Sequence, residues 1–194
     1  MAERFIERSR GERSRALART TAQLLREEGC FRVKVEAVAR AAGVGKGTVY
    51  LDHGDKVGLV GSSLELACRD LVAAIDRAVA GASDPRARLA RAVEVLVRAC
   101  SERPELAVVL ERRLPCAARW LGADLRPYAR LVARLRLAVA EAIGGRPGPE
   151  AGLVAEALLG TLSMPGWQDL ARRRPREAVR SLTRIVPAPT VHPG

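Results

Sequence analysis

Proline decides where helices can run in this chain. All 11 prolines lie between Pro85 and Pro193, so the first 84 residues contain none. Inside a helix, proline removes a backbone hydrogen bond and clashes with the preceding turn, whereas at the first helical position its missing N–H leaves nothing unsatisfied. Asp84-Pro85 reads as a cap followed by a first helical residue, and Pro104-Glu105, Pro149-Glu150 and Pro175-Arg176-Glu177 place acid beside proline, as a helix start prefers. Each marks a new helix.

Apolar residues then recur at spacings of three and four. Leu17, Thr21, Leu24 and Leu25 define a first helix ending near Gly29; Val35, Val38, Ala39 and Ala42 a second; residues 46–52 a short third; and Leu64, Cys68, Leu71, Ile75 and Val79 a long fourth over 56–80. Further helices are expected around Leu89–Cys100, Leu106–Leu110, Leu121–Ile143, 149–163 and 175–186. The reading is all-α, with about nine helices. It divides into a flexible arm (1–12), a three-helix amino-terminal domain (13–55), a larger helical domain (56–186) and a disordered tail (187–194).

Composition agrees with this class. Hydrophobic residues at 48% and charged residues at 28% exclude whole-chain disorder, and an aromatic content of 3% with abundant Ala and Leu disfavours an all-β fold. No run is long and apolar enough to span a bilayer, and the opening MAERFIERSRGERSR lacks a secretory apolar core, so a cytoplasmic protein is expected. The net charge of +11 suggests a polyanionic partner, but the excess is spread along the chain and carried mostly by Arg. The three lysines are more informative: Lys34, Lys46 and Lys56 fall close together.

The four cysteines, Cys30, Cys68, Cys100 and Cys116, form no C-x-x-C pair, and only His53 and His192 are available to complete a ligand set. Neither a metal site nor a cofactor is expected, and the cysteines read as buried thiols. No catalytic site is expected either, since there is no G-x-S-x-G elbow and few histidines from which to build a triad.

Residues 35–52, VEAVARAAGVGKGTVYLD, form two short helices joined at Ala-Gly-Val. Val38, Ala42, Val44 and Val49 are the inward positions, Ala39 is small where the helices cross, and Gly43 sits where the turn needs positive φ. This is a helix-turn-helix. Its second helix presents Lys46, Gly47, Thr48 and Tyr50 outward: a cation, an open approach and two hydroxyls. The run GVGKGT also brings a phosphate-binding loop to mind, but the glycine needed five residues before Gly45 is Arg40, and the lead-in is an amphipathic helix rather than a buried strand.

With LLREEGCF closing the first helix, VEAVARAAGV forming the second, then KGTVY and a D-K-x-x-L start to the fourth, residues from about Arg13 to Leu59 resemble the TetR family of one-component transcriptional regulators. The resemblance implies a homodimer bound to double-stranded DNA, with the last two helices pairing across subunits, and repression relieved by a small molecule. Family DNA contacts fall on Gly45, Lys46, Gly47, Thr48, Tyr50 and Lys56. Lys34 stands where a hydroxyl usually caps the second helix, and it is added as a cation within reach of phosphate. Asp52-His53 stands where His-Phe is usual, which is expected to put a carboxylate near the DNA. The His53 ring is expected to pack inward with a lowered pKa, the alternative being an outward, charged ring. The implied effector cavity is assigned to Leu64, Cys68, Leu71, Leu96, Cys100, Leu110 and Leu125, together with Trp120, Tyr128, Met164 and Trp167, because the scarce aromatics cluster there. The dimer face is assigned to Gly152, Glu156, Gly160 and Ser163 with Val179 and Leu182. The rival readings are a DNA-binding or architectural protein without an effector, and a small helical enzyme acting on a nucleotide.

Overall fold

The computed structural model describes residues 2–28, 32–103, 106, 126–144 and 148–187. Among these there are nine α-helices and no strand. They are α1 (Ala2–Glu28), α2 (Val35–Ala41), α3 (Lys46–His53), α4 (Lys56–Ala80), α5 (Pro85–Glu102), α6 (Arg126–Ala142), α7 (Pro149–Ser163), α8 (Pro165–Arg173) and α9 (Pro175–Ile185). No described helix is long and apolar enough to cross a membrane.

Pro85, Pro149 and Pro175 act as the sequence implies, whereas Pro104 lies outside the described residues and Pro165 is a further start. Pro85, Pro149, Pro165 and Pro175 each open a helix, and Asp84 caps α5 by accepting a hydrogen bond from the Ala87 N–H at 2.7 Å. Two elements depart from expectation. The stretch 1–12, expected as a flexible arm, is helical from Ala2 onward, because Ala, Glu and Arg favour helix and no proline interrupts them. Helix α8 was not expected at all, since PGWQDLARR is short and largely polar and shows no sustained apolar period. Residues 188–194 of the expected tail lie outside the described residues.

The described residues form two compact units, which divide within α4 between Ala67 and Cys68. In the first, α1, α2 and α3 pack on one another around Leu17, Val38 and Val49, with Ala39 buried where helices meet closely. Buried Thr21 satisfies its hydroxyl by donating to the Leu17 carbonyl at 2.8 Å. Gly43 (φ 67°) makes the turn into α3 and Gly54 (φ 76°) ends that helix, both in the left-handed region that favours glycine.

In the second unit α5 is the central element, packed against α6, α7, α8 and α9. It buries Leu89, Ala92, Val93, Leu96, Val97 and Cys100. Arg134 of α6 pairs with Asp76 of α4, and Arg88 of α5 pairs with Glu141 of α6 at 3.1 Å. Helix α7 is apolar on both sides. It buries Ala151, Ala155, Leu158, Leu159 and Leu162, yet it also exposes Leu153 (72%), followed just beyond its end by Met164 (57%).

Candidate nucleic-acid interface

Helix α3 has only eight residues and buries a single apolar side chain, Val49. Around Val49 the rest of the surface stands open: Lys46, Gly47, Tyr50 (41%) and Leu51 (71%) are exposed and Thr48 is half-buried. A Cβ at Gly47 would meet nothing within 4 Å, so the position leaves a gap through which a partner can reach the helix backbone. Gly45 and Lys34 occupy the N-cap positions of α3 and α2 in extended conformation, and neither provides a side-chain cap. Lys34 is exposed and Lys56 half-buried.

Lys46 is already engaged. Its ammonium forms an ion pair with Glu36 of α2 and lies over the Tyr50 ring, 5.6 Å from the centroid. The hydrogen bond to Glu36 raises the lysine pKa, and the same bond lowers that of Glu36. The open face therefore offers a cation, a phenol, a hydroxyl and an exposed leucine, a mixture suited to phosphate, base edges and a thymine methyl. Sequence reasoning missed Leu51, although its place four residues after Gly47 puts it on the same face. It also missed Glu36, whose pairing depends on how α2 crosses α3.

The expectation that Asp52 lies near DNA is corrected. Its side chain is fully covered and turned toward α1, where Arg13 donates two hydrogen bonds to it, at 2.7 and 3.0 Å, and Arg10 lies at 3.3 Å. Bonding to Arg13 holds the carboxyl below its usual pKa against the opposing effect of burial. A carboxylate finds better partners in this guanidinium fork than beside a phosphate backbone.

His53 packs inward, half-buried between helices. Its Nδ1 is 3.1 Å from the Ser62 hydroxyl of α4 and its Nε2 is 3.4 Å from the Ser14 hydroxyl of α1. Burial lowers its pKa, against the pull of the Asp52 charge. Because the folded value is depressed, the neutral ring's contribution is complete above the unfolded pKa of about 6.5 and is lost as pH falls through the folded value. His53→Phe removes that titration. Relative to wild type, the variant is expected to gain more stability at pH 5.5 than at pH 7.5 in denaturant unfolding, and an equal difference at both would contradict this assignment.

Among the described residues, none of those assigned to an effector cavity lines the groove found in the second unit. Leu64 is buried in the first unit, and Cys68, Leu71, Leu96 and Cys100 are buried packing residues of the second. Burial pushes the Cys100 thiol up to about 12, which suits an inert side chain. Met164 is exposed and Trp167 half-buried. Leu110, Trp120 and Leu125 lie outside the described residues, as do Cys30 and Cys116; Tyr128 belongs to α6, but its side chain is not among those described. The second unit does hold a groove of about 940 Å³ between α5, α8 and α9, whose lining includes Val97, Ala171, Val179, Arg176 and Arg180. Of the sequence-assigned pocket and dimer residues only Val179 lines it, and it had been given to the dimer face.

On that assigned dimer face, Glu156 and Gly160 are exposed, but Gly152 is half-buried, with the side chain of Arg136 3.8 Å from where a Cβ would stand. Leu182 is wholly buried in the chain's own core, so it has no surface to offer. The side chain of Ser163 lies outside the described residues.

Residues 17–62 match the family model described as bacterial regulatory proteins, tetR family. A comparison with curated proteins returned no match. Solved structures similar to the chain include a TetR transcription regulator from Haloarcula marismortui, at 18% identity and TM-score 0.69, covering 91% of this chain and 97% of that one. The fatty acid degradation regulator FadR from Bacillus halodurans aligns at 18% identity and TM-score 0.66, covering 93% and 97%. FadR from Bacillus subtilis in complex with stearoyl-CoA aligns at 16% identity and TM-score 0.63, covering 88% and 94%.

Proposed function

From the premise that this chain is a transcription regulator of the tetR family, we propose that it acts as a homodimeric repressor, binding a pseudo-palindromic operator through α3 and released by a small molecule bound in its second unit. The observation that carries the reading is the open surface of α3, where Lys46, Gly47, Tyr50 and Leu51 are exposed and Thr48 is half-buried beside buried Val49. Gly45, Lys34 and Lys56 flank that face as backbone and phosphate contacts. Selection from a randomised duplex pool tests it. The expected product is an inverted repeat whose half-sites lie about one helical turn, roughly 34 to 36 Å, or a multiple apart. Absence of any enriched sequence would overturn the reading.

Helix α7 supports the dimer. A helix apolar on both faces needs a partner on each, and Leu153, Ala157, Gly160 and Met164 form an outward stripe at spacings of four, three and four. Leu153→Glu is expected to shift the protein to monomer in light scattering at micromolar concentration and to weaken operator binding along with it. An unchanged dimer would move the interface elsewhere. The release step is supported by likeness to the FadR of Bacillus subtilis, whose structure contains stearoyl-CoA. A true effector binds free protein more tightly than operator-bound protein, because only differential affinity can shift the equilibrium.

A further inference from the structure

We propose that Asp52 is a positioning residue that fixes the roll of α3 about its own axis and thereby sets how sharply the protein discriminates one DNA sequence from another. This rests on the reading of α3 as the DNA-contacting helix. The geometry begins with how little else holds α3. Val49 is its one buried apolar side chain, its N-cap Gly45 supplies no side-chain cap, and half-buried His53 lies within hydrogen-bonding distance of Ser14 and Ser62. A two-turn helix held by one buried apolar side chain and a half-buried ring at its end has little that fixes its roll. Side-chain tips lie about 5 to 6 Å from a helix axis, so a roll of about 20° moves them by about 2 Å. That exceeds the tolerance of a hydrogen bond to a base edge, whose length varies by only about 0.5 Å.

Asp52 supplies a directional anchor. It lies three residues after Val49 and so on the same side of the helix. The carboxylate receives the Arg13 fork through Nε and Nη2, and Arg10 adds a cation on the same group while donating from Nη2 to the Leu51 carbonyl at 3.1 Å. Bidentate pairing constrains direction as well as distance, which a single apolar contact cannot do. Both arginines come from α1, a helix fixed independently by Leu17 and Leu25. Neutralisation has a further effect: while Asp52 is bound, Arg10 and Arg13 are committed to the protein and less available to any passing phosphate.

This gives Asp52→Asn two effects of opposite sign. In the full-length protein, its affinity for the duplex enriched by wild type should fall about tenfold, the scale of one lost base contact. Its affinity for a scrambled duplex of equal length should rise severalfold, with a steeper salt dependence, by up to about 0.9 for each arginine released. Asp52→Glu, which keeps the charge and can still accept the fork, should restore the affinity ratio to within about threefold of wild type. Plain loss of structure would weaken binding to both duplexes together, and that outcome overturns the proposal, as does an unchanged ratio. Should Asp52→Asn melt below the assay temperature, Arg13→Lys keeps the charge but not the fork, and the same ratio must fall; a ratio equal to wild type overturns the proposal. Failure of the wild type to bind any duplex overturns the regulator reading instead.

Discussion

Gly58→Ala is expected to destabilise the amino-terminal unit, against the usual sign of such a change. Inside a helix, alanine in place of glycine normally stabilises by about 0.5 to 1 kcal/mol. Gly58, however, lies in the first turn of α4 against the end of α3, and a Cβ there would run into the carbonyl oxygen of His53, whose carbonyl carbon lies 3.2 Å away. Backbone cannot swing aside as a flexible side chain would. The Gly58 N–H is also held by Asp55 at 2.7 Å, so the turn has little freedom to retreat. Overpacking of this kind costs about 1 to 3 kcal/mol, which should appear as a lower denaturation midpoint and weaker operator binding. A more stable Gly58→Ala protein would show that α3 and α4 approach less closely than described.

The second large effect concerns Lys46 and has a built-in control of opposite sign. Lys46→Ala removes a cation from the outer face of α3, which should weaken operator binding about tenfold and lower the salt slope by about one unit. Glu36→Gln leaves the lysine but dissolves its ion pair. Freed from a competing carboxylate, Lys46 should bind phosphate more readily. Because the pair is about half exposed, with Lys46 at 50% and Glu36 at 53%, the gain is held to a few-fold. Binding isotherms across a salt series measure both, and an unchanged slope in Lys46→Ala would take Lys46 out of the interface.

Much of this architecture was legible because it rests on local rules. Proline at a helix start, glycine at Gly43 and the inward Val38 and Val49 are properties of short segments, and the sequence displays them directly. The inward ring of His53 followed from the same reasoning, since a three-helix unit has little core to spare. What stayed hidden depends on residues far apart in the chain. Asp52 meets Arg10 and Arg13 across 39 residues or more, and nothing at the level of spacing distinguishes a carboxylate facing α1 from one facing solvent. Helix α7 shows the complementary difficulty. With apolar residues nearly all around, its period did not say which leucines point inward, and Leu153 proved to be outside. Helix α8 lacked a period to read.

The uncapped starts of α2 and α3 bear on how binding depends on temperature. Neither Lys34 nor Gly45 offers a side-chain acceptor to the helix that follows it, and a hydroxyl or carboxylate cap is typically worth about 1 kcal/mol. The helix-turn-helix therefore forgoes about that much stabilisation at each of these starts, and their first turns are places where local opening costs little. Under the proposed duplex binding, any further ordering of these turns carries an entropic penalty offset by the heat of the contacts formed. Operator binding is then expected to weaken on warming over a range in which the core remains intact, which binding isotherms taken at a series of temperatures below the unfolding midpoint would measure.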